Sequence, residues 1–352
     1  MNITFILPGI PNRPIGGFKI IFEYANRLTI RGYKVNILFE CSKNLMCIKN
    51  LNFIRKILSN ILIYYYPKWF NLNKNIVKKC IFEINNNSVP DSDIIVATSV
   101  RTSTGVFNLD KKKGKKIYFI QDFECWKEWT PEMVCKTYSL GMKNIVIANW
   151  LKKIVDKYSI EKSILIRNGI DFNIYNIDIP IEKRNKYTIS MLYHIGEHKG
   201  CKYGIQTLIL LKKIYPQLIV NMFGVVKSPK NIPKWINYIY KPDSKKLRTI
   251  YNNSAIFICS SIKEGFGLTG AESMACGCAY VSTDYGGVRE YTIDNENVLL
   301  SLPKDVEALK KNIQLLIEND ALRIEMAKNG YKYINKILNW NNSVNAFEKL
   351  MK

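Results

Sequence analysis

The sequence predicts an α/β protein built from two Rossmann-like domains, each a parallel sheet with helices on its faces. Three observations carry this. Asn2–Leu7, a Pro- and Gly-rich loop, an amphipathic stretch from Phe18 and the run Lys34–Phe39 make a βαβ unit at the start of the chain. The same alternation restarts at Thr188–Tyr193, after the stretch Asp171–Lys186, which lacks periodicity. At 352 residues the chain is also long for one core, since roughly 100–200 residues per domain is usual. The boundaries read from the sequence are 1–172 for the first domain, 187–336 for the second and 337–352 for a terminal helix.

In the first domain, the loop Pro8–Gly17 ends in Gly16-Gly17, and Phe18, Ile21, Phe22, Ala25 and Leu28 recur at helical spacing before Gly32 stops the helix. The glycine pair is a candidate phosphate contact where the loop meets the helix, or a plain turn. Leu51–Phe70 mixes aliphatic and aromatic residues with Arg55-Lys56 and Pro67-Lys68-Trp69, as an interfacial helix on an anionic membrane would, and as a core helix would. Asp93–Thr98 and Lys116–Gln121 are further strands. Asp91-Ser-Asp93 precedes its strand, which makes it a solvated turn and not a metal-diphosphate clamp at the ligand edge. Gln121-Asp122-Phe-Glu124 follows its strand, with Trp126 and Trp129 close behind, a composition that suits a sugar cleft or a polar turn over buried tryptophans. Strands at Asn144–Ala148 and Ser163–Ile166 close this half.

The second half runs strand Thr188–Tyr193, loop His194–Gly200, helix Tyr203–Tyr215, strand Leu218–Phe223, helix Lys245–Asn252 and strand Ala255–Cys259. Helices over about 305–318 and 320–337 follow, and the final segment sets Val344, Phe347, Leu350 and Met351 on one face. After Cys259, Gly265, Gly267 and Gly270 permit a tight turn, Leu268–Ala275 favours a helix and Gly277 ends it. Strand, glycine turn and helix N-terminus together make an anion site, because unpaired N–H groups and the helix dipole point the same way. Gly265-Phe-Gly267-Leu-Thr-Gly270 also spells the dinucleotide fingerprint, with Asp284 where a ribose-binding acid belongs. Against a dinucleotide oxidoreductase, charged Lys263 and Glu264 stand among the residues between the strand and the first glycine, and the motif lies late in its domain.

Composition narrows the class. Apolar residues make up 47% of the chain, ample for globular packing. Nine cysteines without a C-x-x-C pair suit reduced thiols in a cytoplasmic protein, and two histidines, His194 and His198, exclude a His-rich metal centre. Asn2–Leu7 is too short and lacks a basic leader for a signal peptide, and no apolar run reaches the 18 or so residues of a membrane span. The expectation is a cytoplasmic protein, soluble or peripheral at the membrane. Fifty-two Lys and Arg against 29 Asp and Glu, a formal +23, imply a polyanionic neighbourhood or a compositional bias that also enriches Ile and Asn.

Taken together, Glu264-x7-Glu272, the Gly265-Phe-Gly-Leu268 turn, Ala275-Cys-Gly277 and Gly286-Gly287-x-x-Glu290 resemble the donor-site signature of the family-4 retaining glycosyltransferases, which have the GT-B fold. Gly16-Gly17, Arg167-Asn-Gly-Ile-Asp171 and His198-Lys-Gly200 resemble further elements of that family. The resemblance implies two facing Rossmann-like domains with a C-terminal helix crossing back to the first. It implies a nucleotide-sugar donor, with a UDP, GDP or dTDP nucleotide left open, no cofactor and no metal, and transfer with retention. Glu264 and Lys199 would be catalytic, Lys199 neutralising the diphosphate and Glu264 fixing the sugar. The amides of Gly265, Phe266, Gly267 and Leu268 would hold phosphate oxygens, Glu272 the ribose hydroxyls, and Gly16 and Gly17 would complete the donor contacts. His194 stands where the family usually has an arginine, a weaker phosphate clamp. Gln121-Asp122 stands where the family often has a histidine, which leaves Asp122 and Glu124 as candidate acceptor contacts. That Gln-Asp pair looks similar to bacterial enzymes of rhamnose-rich surface polysaccharides, a pointer to a deoxysugar. The expected acceptor is a growing surface glycan, lipid-linked at an anionic membrane face, with no nucleic acid as partner. The alternative is a glycan- or nucleic-acid-binding protein that keeps the fold without catalysis.

Overall fold

Asn2–Leu7 buries every side chain after Asn2, as a strand covered on both faces must. The structure, a computed structural model, describes residues 1–42, 52–125, 128–227, 229 and 232–351. Leu51, Trp126 and Lys352 lie outside the described residues, as does the side chain of Lys56. The chain divides into two units, Met1–Arg167 with Val344–Lys352, and Asn168–Ser343.

The first unit runs β1 (Asn2–Leu7), α1 (Gly16–Ile30), β2 (Lys34–Glu40), α2 (Asn52–Tyr65), β3 (Val77–Ile81), β4 (Ile94–Ala97), α3 (Val100–Phe107), β5 (Lys115–Ile120), α4 (Pro131–Tyr138), β6 (Lys143–Val146), α5 (Asn149–Val155) and β7 (Ile164–Leu165). Its seven strands pair in parallel in the order β3-β2-β1-β4-β5-β6-β7. Gly32, at φ +90, stops α1: its N–H donates to Thr29, and that of Tyr33 donates to Leu28. Those two bonds form a Schellman cap, which needs the left-handed conformation that glycine takes without strain.

The second unit runs β8 (Thr188–Tyr193), α6 (Cys201–Ile214), β9 (Ile219–Gly224), β10 (Asn237–Tyr240), α7 (Ser244–Asn252), β11 (Ile256–Cys259), α8 (Leu268–Ala275), β12 (Ala279–Thr283), β13 (Leu299–Ser301), α9 (Val306–Glu318) and α10 (Asp320–Ile337). Its six parallel strands follow the order β10-β9-β8-β11-β12-β13. Ile189, Met191, Val220, Ile256, Ile258 and Val281 build the centre of its core with Leu208 and Leu211 of α6 and Ile313 of α9. Residues 171–186 are stitched to this unit. The buried Arg184 guanidinium donates to the carbonyls of Ile179, Ser254 and Cys276, the last at 2.6 Å.

The last helix, α11 (Trp340–Met351), begins in the second unit, and from Val344 onward its residues group with the first. There Phe347 lies among Phe5, Tyr24 and Phe119, with ring centroids 5.3–6.5 Å apart, and Arg31 pairs with Glu348 at 2.6 Å.

Both sheets share one consequence. In each, the strand order reverses at the first strand, between β1 and β4 and between β8 and β11. Ligands of open parallel sheets bind beyond the carboxyl ends of the strands at such a switch point.

Candidate active site

The loops that leave β8 and β11 bring together residues far apart in sequence. The Lys199 ammonium sits 2.5 Å from the Glu264 carboxylate, and the second oxygen of Glu264 accepts from the Ser261 hydroxyl at 3.0 Å. Both side chains are mostly covered, at 17% and 15% exposure. The two loops are bound to each other through backbone: Ile262 and Lys263 N–H donate to the His198 carbonyl at 2.8 and 3.1 Å. Gly200, at φ +56, passes so close to Ser260 that a Cβ would lie 2.0 Å from its carbonyl oxygen. Only glycine allows both that conformation and that approach.

His194 is half-buried in the same loop, and its Nδ1 accepts from the Gly196 N–H at 2.9 Å. A neutral imidazole with Nδ1 accepting carries its proton on Nε2, the nitrogen that can donate onward.

Two helices start from these loops without a side-chain cap. Gly200 caps α6 and Gly267, at φ +90, caps α8, and neither helix has an acid in its first turn. In contrast Asp243, Asp305 and Asn319 cap α7, α9 and α10 with their side chains. Uncapped N-termini at a sheet's carboxyl edge leave N–H groups for an anion.

The glycine turn between β11 and α8 is fixed from behind by tyrosines. Tyr291 donates to the Gly267 carbonyl at 2.8 Å and lies 2.8 Å from the Tyr285 hydroxyl. Because Tyr291 has one proton and gives it to Gly267, Tyr285 is the donor to Tyr291. Tyr280 stands at 3.4–3.5 Å from both hydroxyls. Burial raises the pKa of all three phenols, so they stay neutral hydrogen-bonding groups. A Cβ on Gly270 would lie 2.5 Å from the hydroxyls of Tyr280 and Tyr291. Gly286-Gly287 has a matching reason. Glu264 pairs with Gly286 in an isolated parallel bridge, and a Cβ on Gly287 would meet the Gly265 carbonyl oxygen at 2.5 Å.

Glu272 lies on α8, 3% exposed, with the Tyr251 hydroxyl at 3.4 Å. Phe266 is buried against Tyr291, ring centroids 5.3 Å apart, and Leu268 opens α8. Gly277, at φ +79, ends α8 through a second Schellman cap, with its N–H on Met274 and that of Cys278 on Ser273. Asp284, the acid of the dinucleotide reading, is bound by both Nε and Nη2 of Arg289.

In the first unit, the two stretches that sequence reading singled out meet. Gln121 Nε2 donates to the Gly17 carbonyl at 3.1 Å, across the ends of β5 and β1. Gly16 and Gly17 open α1, which also starts without a side-chain cap. Asp122 is half-buried, and its Oδ1 accepts from the Phe123 N–H at 2.8 Å. Glu124 gives one carboxylate oxygen to the Ser99 hydroxyl at 2.8 Å and the Val100 N–H at 2.5 Å, at the start of α3. Burial pushes its pKa up to about 7, against the lowering effect of those two bonds. Asp91-Ser-Asp93 lies at the amino edge of β4, with Asp91 on Lys113 at 2.7 Å and Asp93 on the Asn2 N–H at 2.6 Å.

Sequence reading missed Ser261, Tyr285, Tyr291 and Arg289. No motif marks them, because each acts through a contact made by folding.

Comparison with known proteins places this geometry. Residues 176–333, within the second unit, match the family described as glycosyl transferases group 1. An uncharacterised glycosyltransferase of Methanocaldococcus jannaschii is 30% identical over 178 residues, 47% of this chain and 45% of that protein. The capsular polysaccharide biosynthesis glycosyltransferase CapM of Staphylococcus aureus is 21% identical over 310 residues, 80% of this chain and 76% of that protein. Anabaena HepE, solved in complex with UDP and glucose, superimposes with a TM-score of 0.75 over 100% of this chain and 99% of its own, at 14% identity. That likeness shows the fold, GT-B, with two Rossmann-like units. The chain spans about half the length of several of the curated relatives it matches.

Proposed function

We propose that this protein is a retaining glycosyltransferase that moves a sugar from a nucleotide-sugar to a growing surface glycan. The observation that carries this reading is the Lys199–Glu264 pair at the β8/β11 switch point, beside the uncapped starts of α6 and α8. Relatives support the class: CapM is named for capsular polysaccharide biosynthesis, and HepE was solved with UDP and glucose.

In this reading the donor diphosphate takes Lys199 as its cation, the Gly265–Leu268 amides as its hydrogen-bond donors and His194 Nε2 as a further contact. Glu272 accepts from the ribose, with Tyr251 beside it. Glu264 accepts from hydroxyls of the transferred sugar. The bond from the anomeric carbon to the diphosphate oxygen breaks, and its electron pair stays on that oxygen. The acceptor oxygen bonds to the same face of the anomeric carbon, and its proton passes to the departing phosphate. Lys199 and the helix N-terminus stabilise the charge that develops there, so no metal enters the scheme. Asp122 and Glu124 are the acceptor-side carboxylates, Glu124 with one oxygen already held at the start of α3, and Gly16 and Gly17, at the uncapped start of α1, are a further phosphate contact. The acceptor is lipid-linked at an anionic cytoplasmic membrane face, and a deoxyhexose is the donor sugar to try first.

Thermal melting with UDP-, GDP- and dTDP-sugars tests the donor site. At least one nucleotide-sugar should raise the wild-type melting temperature, with the rise lost in Lys199→Ala. A panel without any shift contradicts the reading.

A further inference from the structure

The face of α2 that turns away from the sheet carries chemistry that the donor site does not use. α2 covers β3 through Ser59 and Ile63, both buried, and the Ser59 carbonyl accepts from the Cys80 thiol. On the other side Ile54, Ile57, Ile61 and Tyr64 follow one another at helical spacing with exposures of 41, 45, 51 and 79%, and Tyr65 adds 59%. Ile57, Asn60, Ile61, Tyr64 and Tyr65 line an open apolar groove. Single exposed apolar side chains are ordinary; a stripe over successive turns of one helix marks a contact surface.

The charge around this stripe identifies what it meets. Between Glu40 and Glu83 the sequence holds eight basic residues and no acidic one. Lys68 and Lys74 are exposed just past the helix, Lys68 lying 5.8 Å from the Tyr66 ring centroid. Nucleic acid would use the cations and leave the isoleucines in water. A second copy of the chain would bring its own cations against these. An anionic lipid surface takes both features, burying the aliphatic stripe at the level of the acyl boundary while lysines and tyrosine hydroxyls stay among the headgroups. Among the described residues no helix is long and apolar enough to cross a membrane, so α2 would lie along the interface.

We infer that the α2 face, from Ile54 to Tyr65 with Lys68 and Lys74, docks the protein on an anionic lipid surface. This deepens the proposed function, on which it rests for its purpose: it is how the enzyme meets a lipid-linked acceptor. The test is co-sedimentation of the full chain with phosphatidylcholine vesicles, with and without phosphatidylglycerol. Wild type should bind only the anionic vesicles. The exposed-face variant Ile57→Ser/Ile61→Ser/Tyr64→Ser and the charge variant Lys68→Glu/Lys74→Glu should each lower binding about tenfold or more. Both should keep the wild-type melting temperature and its shift with nucleotide-sugar. The inference is overturned if wild type ignores anionic vesicles, binds zwitterionic ones equally, or is matched by both variants. It is also overturned if the variants instead change the sedimentation of the protein alone, which would assign the face to a second copy, or abolish RNA binding while leaving vesicle binding intact. Lipid binding in this pattern without any nucleotide-sugar shift would keep the docking face and remove the glycosyl-transfer reading.

Discussion

Lys199 and Glu264, 65 residues apart in sequence, form a 2.5 Å ion pair where the loops after β8 and β11 meet. Each is mostly covered, at 17% and 15% exposure, so little water separates the two charges. A donor diphosphate must therefore displace the Glu264 carboxylate from Lys199, or share it. Glu264→Gln leaves Lys199 without its competing carboxylate while keeping the side-chain shape. Calorimetry should show nucleoside diphosphate binding several-fold tighter, by about 1 kcal/mol, to Glu264→Gln than to wild type, while transfer falls. Weaker binding would mean that Glu264 positions Lys199 instead of competing for it.

Gly287 tests whether the backbone contact behind Glu264 matters. An alanine Cβ there would lie 2.5 Å from the Gly265 carbonyl oxygen and 2.7 Å from that of Glu264, both backbone atoms that cannot rotate aside. Gly287→Ala should cost about 1–3 kcal/mol of stability and depress nucleotide-sugar turnover. Gly32→Ala is the control: φ is +90 but a Cβ meets nothing within 4 Å, so it should cost about 1–2 kcal/mol and spare turnover per folded molecule. Denaturant melts and initial rates on the two variants check both halves.

Tyr291→Phe removes the donor to the Gly267 carbonyl and leaves the Tyr285 hydroxyl with the more distant Phe266 carbonyl, at 3.4 Å, as its acceptor. Loss of one buried hydrogen bond should cost about 1–3 kcal/mol. If the tyrosines hold the turn in its phosphate-binding shape, the donor KM rises more than kcat falls. An unchanged KM would make Tyr291 a packing residue.

Much of this was legible before folding. Strand, turn and helix around Gly265–Gly270 follow from an apolar run, glycines and a helix-favouring stretch, and the cap at Gly277 forms where a stop was read. The glutamate spacing pointed to Glu264 and Glu272, and Lys199 stood next to Gly200. What the sequence could not show is contact. Arg184 reads as one more basic residue in a run without periodicity, yet it is buried and ties that run to the end of α8. β3, α3, α4, α5, β10 and β13 are too short or too mixed in polarity to stand out by period alone. The Gln121–Gly17 bond joins two stretches that sequence reading judged separately.

Glu124 sets a pH dependence. Its pKa is raised from its ordinary 4.5 to about 7, chiefly by burial, so the folded state holds a proton that the unfolded chain has released. Its stabilising contribution is full below 4.5 and is lost as pH rises through 7. The sign is opposite to that of a salt-bridged carboxylate. Across this window the loss is at most about 3 kcal/mol. Chemical denaturation at pH 5 and pH 8 should show that Glu124→Gln removes this part of the slope; identical slopes would place Glu124 in a wetter setting.

The most direct measurement of the central claim is nucleotide release from a panel of nucleotide-sugars by wild type, Glu264→Ala and Lys199→Ala at equal folded concentration. Wild type should release nucleotide from one donor class, and each variant should be slower by about 100- to 1,000-fold, the range for loss of one transition-state charge contact. Release by wild type that persists unchanged in both variants would contradict the assignment of this pair as the reacting centre.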